Sequence, residues 1–563
     1  MNTTEQNKRL LLAVVLSGGL LLVWQAFMVP PPLEQAPEGA AETAEAEEGA
    51  PPPTAPTTVA PADDGTAEEP AAEVEALPLQ AMRTPNLALE FSNVGARLAR
   101  VEILEPAQYI PKEDMRGIFP EATGTVLPGE MPHLPLSFDF PAGTGPGPEA
   151  VYAFDEEASR RGVDGWEHLV YRWSGPGGLE VERAFHLHDL AFGIRSSLTI
   201  RHAGDAPLTI DGLRSRLYGE FDGRSGGMLN PGASIVEAVC RVNGRMERRH
   251  GIKVEETREY SGPVDFVGVN ERYFLSALIP HALPDGVRIE GCRFQPAAPS
   301  VVAGELIFEP FVVPPGEAGV TLDFTAYVGP KDASFLRPFE SRLEQTIDLG
   351  WMSFLALPIR WLLLFFQGFV VNWGLAIILL TFFIKLLLTP LTHKSFKSME
   401  KMREIGPKLQ ELKKKYENDP TKMAEAQMKL FRESGVNPLG GCLPMLLQMP
   451  IYIALYQTIW GSAELYNAPF ILWITDLSQR DPYYLLPLLM GGVMYVQQQL
   501  MPTTVDNPQM RLMQKIMPVM FTVFMLWLPS GLVLYIFVNM LLSIAHQLYL
   551  RKTLAKAQPA SAK

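Results

Sequence analysis

The sequence predicts a mixed architecture: a polytopic α-helical membrane protein that carries a large all-β sandwich outside the bilayer. Two observations predict it. Apolar runs long enough to cross a bilayer occur at residues 10–27 and repeatedly between residues 369 and 549. Between them, residues 87–327 break into short alternating stretches punctuated by Gly, Pro, Asn and Asp, the texture of antiparallel strands. The 563-residue chain is 47% hydrophobic, and its net charge of -14 is unevenly spread.

Residues 1–29 are expected to form an N-terminal transmembrane anchor. The run follows Lys8 and Arg9, and Val29 and three prolines come after it where a signal peptide would carry a small-x-small cleavage site. Residues 30–80, rich in Pro, Ala and Glu, cannot bury enough surface to order themselves. They read as a disordered tether with a reach of roughly 40 Å.

Residues 81–334 suit a large sandwich better than a small barrel, in view of their number. Seven of the nine histidines fall here, His186 and His188 on one strand face, with Asp189 expected on the other. Solvent-facing strand histidines are the reading preferred over a metal site, because no third ligand is evident. Cys240 and Cys292 also lie here and can pair in an oxidising compartment; the sequence leaves this open. Cys442 sits in a Gly-Gly-Cys-Leu-Pro turn and reads as a structural thiol.

Residues 335–368 mix charges with an apolar second half interrupted by Pro358 and Arg360, which fits an amphipathic helix in the membrane interface. A second transmembrane helix is expected at 369–390 and helices three to six within 438–550, leaving a tail at 551–563. Residues 391–437 carry an apolar stripe from Phe396 through Ile405 and Leu409 to Tyr416. A turn with Asp419 as N-cap and Pro420 at the first helical position follows, and then a second helix ending at Gly435. That is a helical hairpin. With its roughly eleven Lys and Arg residues, the positive-inside rule places it, and both termini, in the cytoplasm and the β domain outside.

Lys385 lies inside the apolar run of the second span, where a cation is costly and marks a functional site. Thr381 precedes it by one turn on the same face, while Gln448 and Gln497 sit at comparable depth in other spans. The opposite halves of the spans are nearly all apolar. A cavity wet toward the cytoplasm and closed outward is therefore expected. A lysine this near the end of a span can also snorkel to the headgroups, but the matching depth of the glutamines favours a functional cation.

Several strings occur in one order: Asn437-Pro-Leu-Gly-Gly-Cys-Leu-Pro444, Gln448-Met-Pro450, Asp481-Pro-Tyr-Tyr484, Pro502-Thr-Thr504 and Pro529-Ser-Gly-Leu-Val-Leu-Tyr535. In these the chain closely resembles the YidC membrane-protein insertase family, in its form with a large periplasmic domain. The resemblance implies a five-helix core whose hydrophilic groove opens to cytoplasm and lipid and holds one basic residue, here Lys385. An apolar slide along the third and fifth spans is expected beside it, with Met449, Pro450, Phe524, Trp527 and Tyr535 as its contacts. Two departures stand out: Lys385 replaces the usual Arg and lacks its bidentate fork, and Ile536 stands where an aromatic is common.

The implied function is insertion and chaperoning of inner-membrane proteins, alone or with the Sec translocon. Expected partners are nascent membrane proteins, the lipid bilayer and, through the basic outer face of the hairpin (Lys408, Lys413, Lys414, Lys415), the ribosome. No nucleotide-binding or protease motif is evident, so no enzyme activity, cofactor, metal or DNA partner is expected. Two rival readings are a small-solute transporter, against which the lack of internal repeats stands, and a carbohydrate-active β domain. The second would need a histidine and a carboxylate converging in a pocket.

Overall fold

The computed structural model describes residues 75–112, 118–127, 133–141, 143–163, 165–221, 236–250, 256–416, 419–435, 443–500 and 508–557. The expected anchor at 1–29, nearly all of the tether, Cys442, the Pro502-Thr-Thr504 string and the end of the tail lie outside the described residues.

Alternation builds the β domain as expected. In the strand Leu87–Ser92, Leu87, Leu89 and Phe91 turn inward and are buried. Among the described residues the larger sheet has thirteen strands. Its main path begins at Arg245–His250 and Glu237–Val242, passes through Val264–Asn270, Phe274–Pro280, Gly316–Pro330, Gly193–His202, Leu179–Leu187 and Trp166–Gly175, and ends at Arg97–Ile103. A five-stranded sheet that includes Arg214–Glu220, Ile289–Ala298 and Val301–Phe308 packs over Glu237–Val242 and Val264–Asn270. A large sandwich, as expected, results.

The two sheets approach so closely that a Cβ on Gly304 would stand 2.7 Å from the carbonyl oxygen of Gly268, so only glycine fits there. Cys240 and Cys292, one in each sheet and both buried, form a disulfide that closes the question the sequence left open. Bridging residues 52 apart, it stabilises the sandwich by roughly 3–4 kcal/mol in loop-entropy terms.

Eight helices of ten or more residues follow among the described residues: α1 (Ser353–Val370), α2 (Trp373–Glu404), α3 (Gly406–Lys415), α4 (Pro420–Glu433), α5 (Leu443–Gly461), α6 (Leu485–Leu500), α7 (Pro508–Met525) and α8 (Ser530–Ala557). Three stretches of described helix are long and apolar enough to cross a membrane: Ser353–Val370, Trp373–Ser398 and Ser530–Thr553. α1 turns Phe354, Leu357, Trp361, Phe365 and Phe369 outward. Arg360, whose charge suggested an interfacial helix, instead faces inward and pairs with Glu464.

Two boundaries differ from expectation. α2 does not end at Thr389-Pro390 but continues to Glu404 with Pro390 inside it. Proline withdraws the donor that would reach Leu386 O; in the same turn the hydroxyls of Thr389 and Thr392 bond the neighbouring carbonyls of Lys385 (2.7 Å) and Leu388 (3.0 Å). The apolar stripe expected in one hairpin helix is split at Ile405, because Gly406-Pro407 cannot continue α2 and instead opens α3. α3 and α4 still form a hairpin around Ile405, Leu409 and Phe431, and Asp419 caps α4 by accepting the Lys422 N–H at 3.1 Å.

The quoted strings have local work. Asp481 accepts the N–H groups of Tyr483 (3.0 Å) and Leu486 (2.7 Å) and so caps α6. Ser530 donates its N–H to Gln479 O at 2.7 Å and its hydroxyl to Asp476 O at 2.9 Å, and the Gly531 N–H reaches Leu477 O at 2.9 Å. The start of α8 is thereby fixed to the loop that precedes α6.

Candidate functional site

α2 and α8 run side by side in the same direction, so that Ile377 lies against Gly531, Lys385 against Asn539 and Ser543, and His393 against His546. The buried positions Ala376, Ile377, Leu380 and Ile384 recur at helical spacing and form the core-facing stripe of α2. Lys385, beside that stripe, therefore falls at the edge of the α2–α8 seam.

The ammonium of Lys385 donates to Ser543 Oγ at 2.5 Å and to Asn539 Oδ1 at 3.2 Å. Asn539 passes the network on, its Nδ2 donating to the hydroxyl of Tyr452 on α5 at 3.0 Å. One turn earlier on α5, Gln448 donates to the hydroxyl of Tyr535 at 2.9 Å, and the Tyr452 and Tyr535 rings meet edge to face at 5.8 Å. Three helices are thus tied around one half-buried cation by neutral groups, and among the described residues no carboxylate pairs with it. Neutral dipoles take two of its three N–H donors without cancelling its charge, which leaves it attractive to an anion.

The other expected groove residues are placed less directly. Gln448 joins the network, as described. Thr381 is buried, and its hydroxyl donates to Ile377 O at 2.6 Å inside its own helix. Gln497 is half-buried on α6 and, among the described residues, has no hydrogen bond to the Lys385 network.

Of the expected slide contacts, Met449 is 46% exposed near the start of α5 and Trp527 is 39% exposed just beyond the end of α7, while Pro450 and Phe524 are half-buried. Met449 and Trp527 lie toward opposite ends of the helical bundle, since Trp527 is close in sequence to Ser530 at the Gln479 loop and α5 begins at the other side. Tyr535 corrects the expectation. It is fully buried, because its hydroxyl is drawn inward to Gln448, so it forms the wall behind the network and offers no outer surface.

The 60Kd inner membrane protein family matches residues 365–557, and the YidC periplasmic domain family matches residues 80–362. The membrane protein insertase YidC of Geobacter metallireducens is 33% identical over 557 residues, which covers 98% of this chain and 99% of that protein. The chain belongs to the YidC family of membrane-protein insertases. The relative from Magnetococcus marinus is 44% identical over 301 residues, covering 54% of this chain and 53% of its own length. A crystal structure of an active YidC insertase with its first transmembrane domain resolved covers 84% of this chain and 95% of that one, at 19% identity and a TM-score of 0.37.

The protein is accordingly a membrane-protein insertase of the inner-membrane family, with a β sandwich that matches the YidC periplasmic domain and a helical membrane core. The carbohydrate rival set a condition that can be examined on the sandwich. A cavity of about 850 Å³ is lined by His186, His188, His281, Asp189, Asp323 and Arg195 among others. Asp189 therefore shares a site with the histidines, contrary to the expected alternation, because the strand Leu179–Leu187 ends before His188. Histidines and carboxylates thus do converge in one pocket, as the carbohydrate reading required, but His188, His281 and Asp189 are engaged elsewhere rather than with one another, and the family matches are to insertases. His188 Nδ1 accepts the Leu190 N–H at 2.9 Å, His281 Nε2 bonds Thr325 at 2.8 Å, and Asp189 is held by Arg195 at 3.2 Å. His186 stacks on His168 at 3.8 Å, and burial lowers the basicity of both. Among the described residues the cavity holds no histidine–carboxylate hydrogen bond, and no group of three or more His, Cys, Asp or Glu residues could hold a metal.

Sequence reasoning within the YidC core missed Asn539, Ser543 and Tyr452. The signal was present in part: Asn539 and Ser543 are spaced i, i+4 in an otherwise apolar run, which puts them on one face of α8. Gln547, also on α8, donates to Leu500 O at 3.2 Å, beside a bond from Arg551 to the same carbonyl. Together they satisfy the C-terminal end of α6.

Proposed function

We propose that this insertase lowers the cost of bringing a polar or acidic segment to membrane depth by offering it Lys385, while the adjoining apolar segment partitions into lipid along the helix surfaces that carry Met449, Pro450, Phe524 and Trp527. The observation that carries the reading is that, among the described residues, Lys385 is partnered by the neutral side chains of Asn539 and Ser543. An arriving carboxylate exchanges neutral hydrogen bonds for a charge-assisted one, a favourable trade in a low-dielectric site. Nothing covalent is required; the driving force is the hydrophobic partitioning of the substrate. Gln448 and Tyr535 position the wall of the site, Thr381 backs the helix on which Lys385 sits, and Gln497 flanks the groove from α6.

In this reading the basic segments and both termini face the cytoplasm and the β domain faces the periplasm, as the loop charges require. The hairpin, with Lys408, Lys414 and Lys415 exposed, then meets the ribosome or anionic headgroups as substrate arrives, and the insertase works alone or beside the Sec translocon. The test is insertion of a short acidic-tailed substrate in cells depleted of their own insertase. Lys385→Arg should support insertion, whereas Lys385→Ala should lose roughly 10-fold or more, the worth of one charge-assisted hydrogen bond. Normal insertion by Lys385→Ala at matched expression would remove the cation from the mechanism.

A further inference from the structure

Beyond Lys385 the α2–α8 seam carries a second polar rung. His393, eight residues after Lys385, and His546, three after Ser543, stack with ring centroids 5.7 Å apart and planes 21° apart. Phe396 meets the His546 ring edge-on at 5.3 Å and fixes its orientation. The backbone of His393 lies about 12 Å along α2 from that of Lys385, while His546 is only about 5 Å along α8 from Ser543, which holds the ammonium; the rung is on the side of the following basic residues Lys394 and Lys397. His393 is exposed and His546 half-buried, so the rung opens outward from the seam.

The ring nitrogens of this pair make no hydrogen bond among the described residues, although every imidazole carries at least one N–H donor. Some other histidines are engaged, as His188 is with Leu190 and His281 with Thr325, whereas His168 and His202 each keep an unpartnered ring nitrogen in the interior of the β domain. Two parallel imidazoles with open donor edges, next to a seam that ends in a cation, make a receptor for a carboxylate.

We propose that His393 and His546 form the first recognition rung for acidic substrate segments, binding a side-chain carboxylate through their N–H groups before it moves inward to Lys385. This inference rests on the reading of Lys385 as the inner site, and it assigns substrate specificity to two further residues. An acidic segment then meets its ligands in sequence, imidazole donors first and the ammonium second. A segment without a carboxylate gains nothing from the outer rung.

The experiment uses the full-length protein in proteoliposomes, with a photo-crosslinking amino acid at Lys394, and two substrates that differ only in whether the tail residues are Asp or Ser. In the variant His393→Phe/His546→Phe the stack persists but the donors are gone; in His393→Gln/His546→Gln donors persist without the stack. Recognition predicts that the Phe pair lowers capture of the Asp-tailed substrate roughly 10-fold and leaves the Ser-tailed one unchanged, while the Gln pair stays near wild type. Undiminished capture by the Phe pair, an equal loss for both substrates, or loss in the Gln pair with retention in the Phe pair would each overturn the proposal. Lys385→Ala separates the two sites: it should still capture the Asp tail at Lys394 but fail to complete insertion. If Lys385→Ala inserts normally, the inner-site reading fails by itself, while the outer rung is still judged by capture.

Discussion

Lys385 and Ser543, on helices separated by more than a hundred residues of sequence, meet at 2.5 Å, and the serine hydroxyl in turn donates to the carbonyl of Asn539 at 2.7 Å. The serine therefore presents its oxygen lone pairs to the ammonium and can neither cancel the charge nor compete with a carboxylate for it. That is the property an acceptor site for acidic segments needs.

It follows that a carboxylate built into the same place should block the site. Asn539→Asp replaces a 3.2 Å neutral contact with an internal ion pair that an incoming substrate must break. Insertion of an acidic-tailed substrate into proteoliposomes should fall roughly 10-fold or more, with thermal stability retained or raised. Unchanged insertion would mean that the substrate does not use the Lys385 charge.

Much of this architecture was legible in the sequence, and what escaped has identifiable physical causes. Alternation in residues 87–91 and the apolar runs of the core prescribe their own elements, because strand and helix periods differ. Asp481 and Ser530 stand in strings whose capping and anchoring roles follow from short side chains beside Pro and Gly. Pairing between distant segments was not legible: nothing local to Cys240 says that Cys292 faces it from the other sheet. Tyr535 was read as a surface contact, since a single aromatic in an apolar helix carries no mark of its direction. Pro390 was read as a terminus because a proline usually ends a helix and nothing local marks that this one continues to Glu404.

The β domain meets the membrane core at Glu464, whose ion pair makes a second prediction. Arg360 on α1 bonds Glu464 in the loop after α5, with side chains only 11% and 8% exposed, and Gln108 of the β domain donates to the Glu464 carbonyl at 2.7 Å. Burial raises the pKa of Glu464, while the Arg360 charge pulls it back. Removing one partner strands the other, so Arg360→Met should cost about 3–5 kcal/mol. Arg360→Met/Glu464→Gln should recover most of that, as read by thermal unfolding in detergent. A double variant as unstable as the single one would show that the pair contributes by packing rather than by charge.

Lys331, at the junction between the last strand and α1, gives a pH prediction. Its side chain is 5% exposed, and burial lowers its pKa to about 8, with Glu237, Glu271, Asp348 and Arg248 acting on it electrostatically. Between about 8 and the unfolded value of 10.5 the unfolded chain binds more protons than the folded one, so this group makes stability rise with pH across that window. At pH 7 the charge is buried and unfavourable. Lys331→Met should therefore melt higher than wild type at pH 7, and the difference should shrink as pH is raised from 8 toward 10.5. A difference independent of pH would show that Lys331 is not the group that titrates.

The central claim is that the charge at residue 385 reads the charge of the substrate. The measurement that tests it most directly is a charge exchange in proteoliposomes: wild type and Lys385→Glu, each assayed with a substrate whose tail carries Asp and with one whose tail carries Lys at the same positions. The account predicts that Lys385→Glu fails with the Asp tail and regains insertion with the Lys tail, reversing the wild-type preference. If Lys385→Glu inserts both tails as wild type does, or loses both alike, electrostatic reading at this site is contradicted and insertion rests on the apolar surfaces alone.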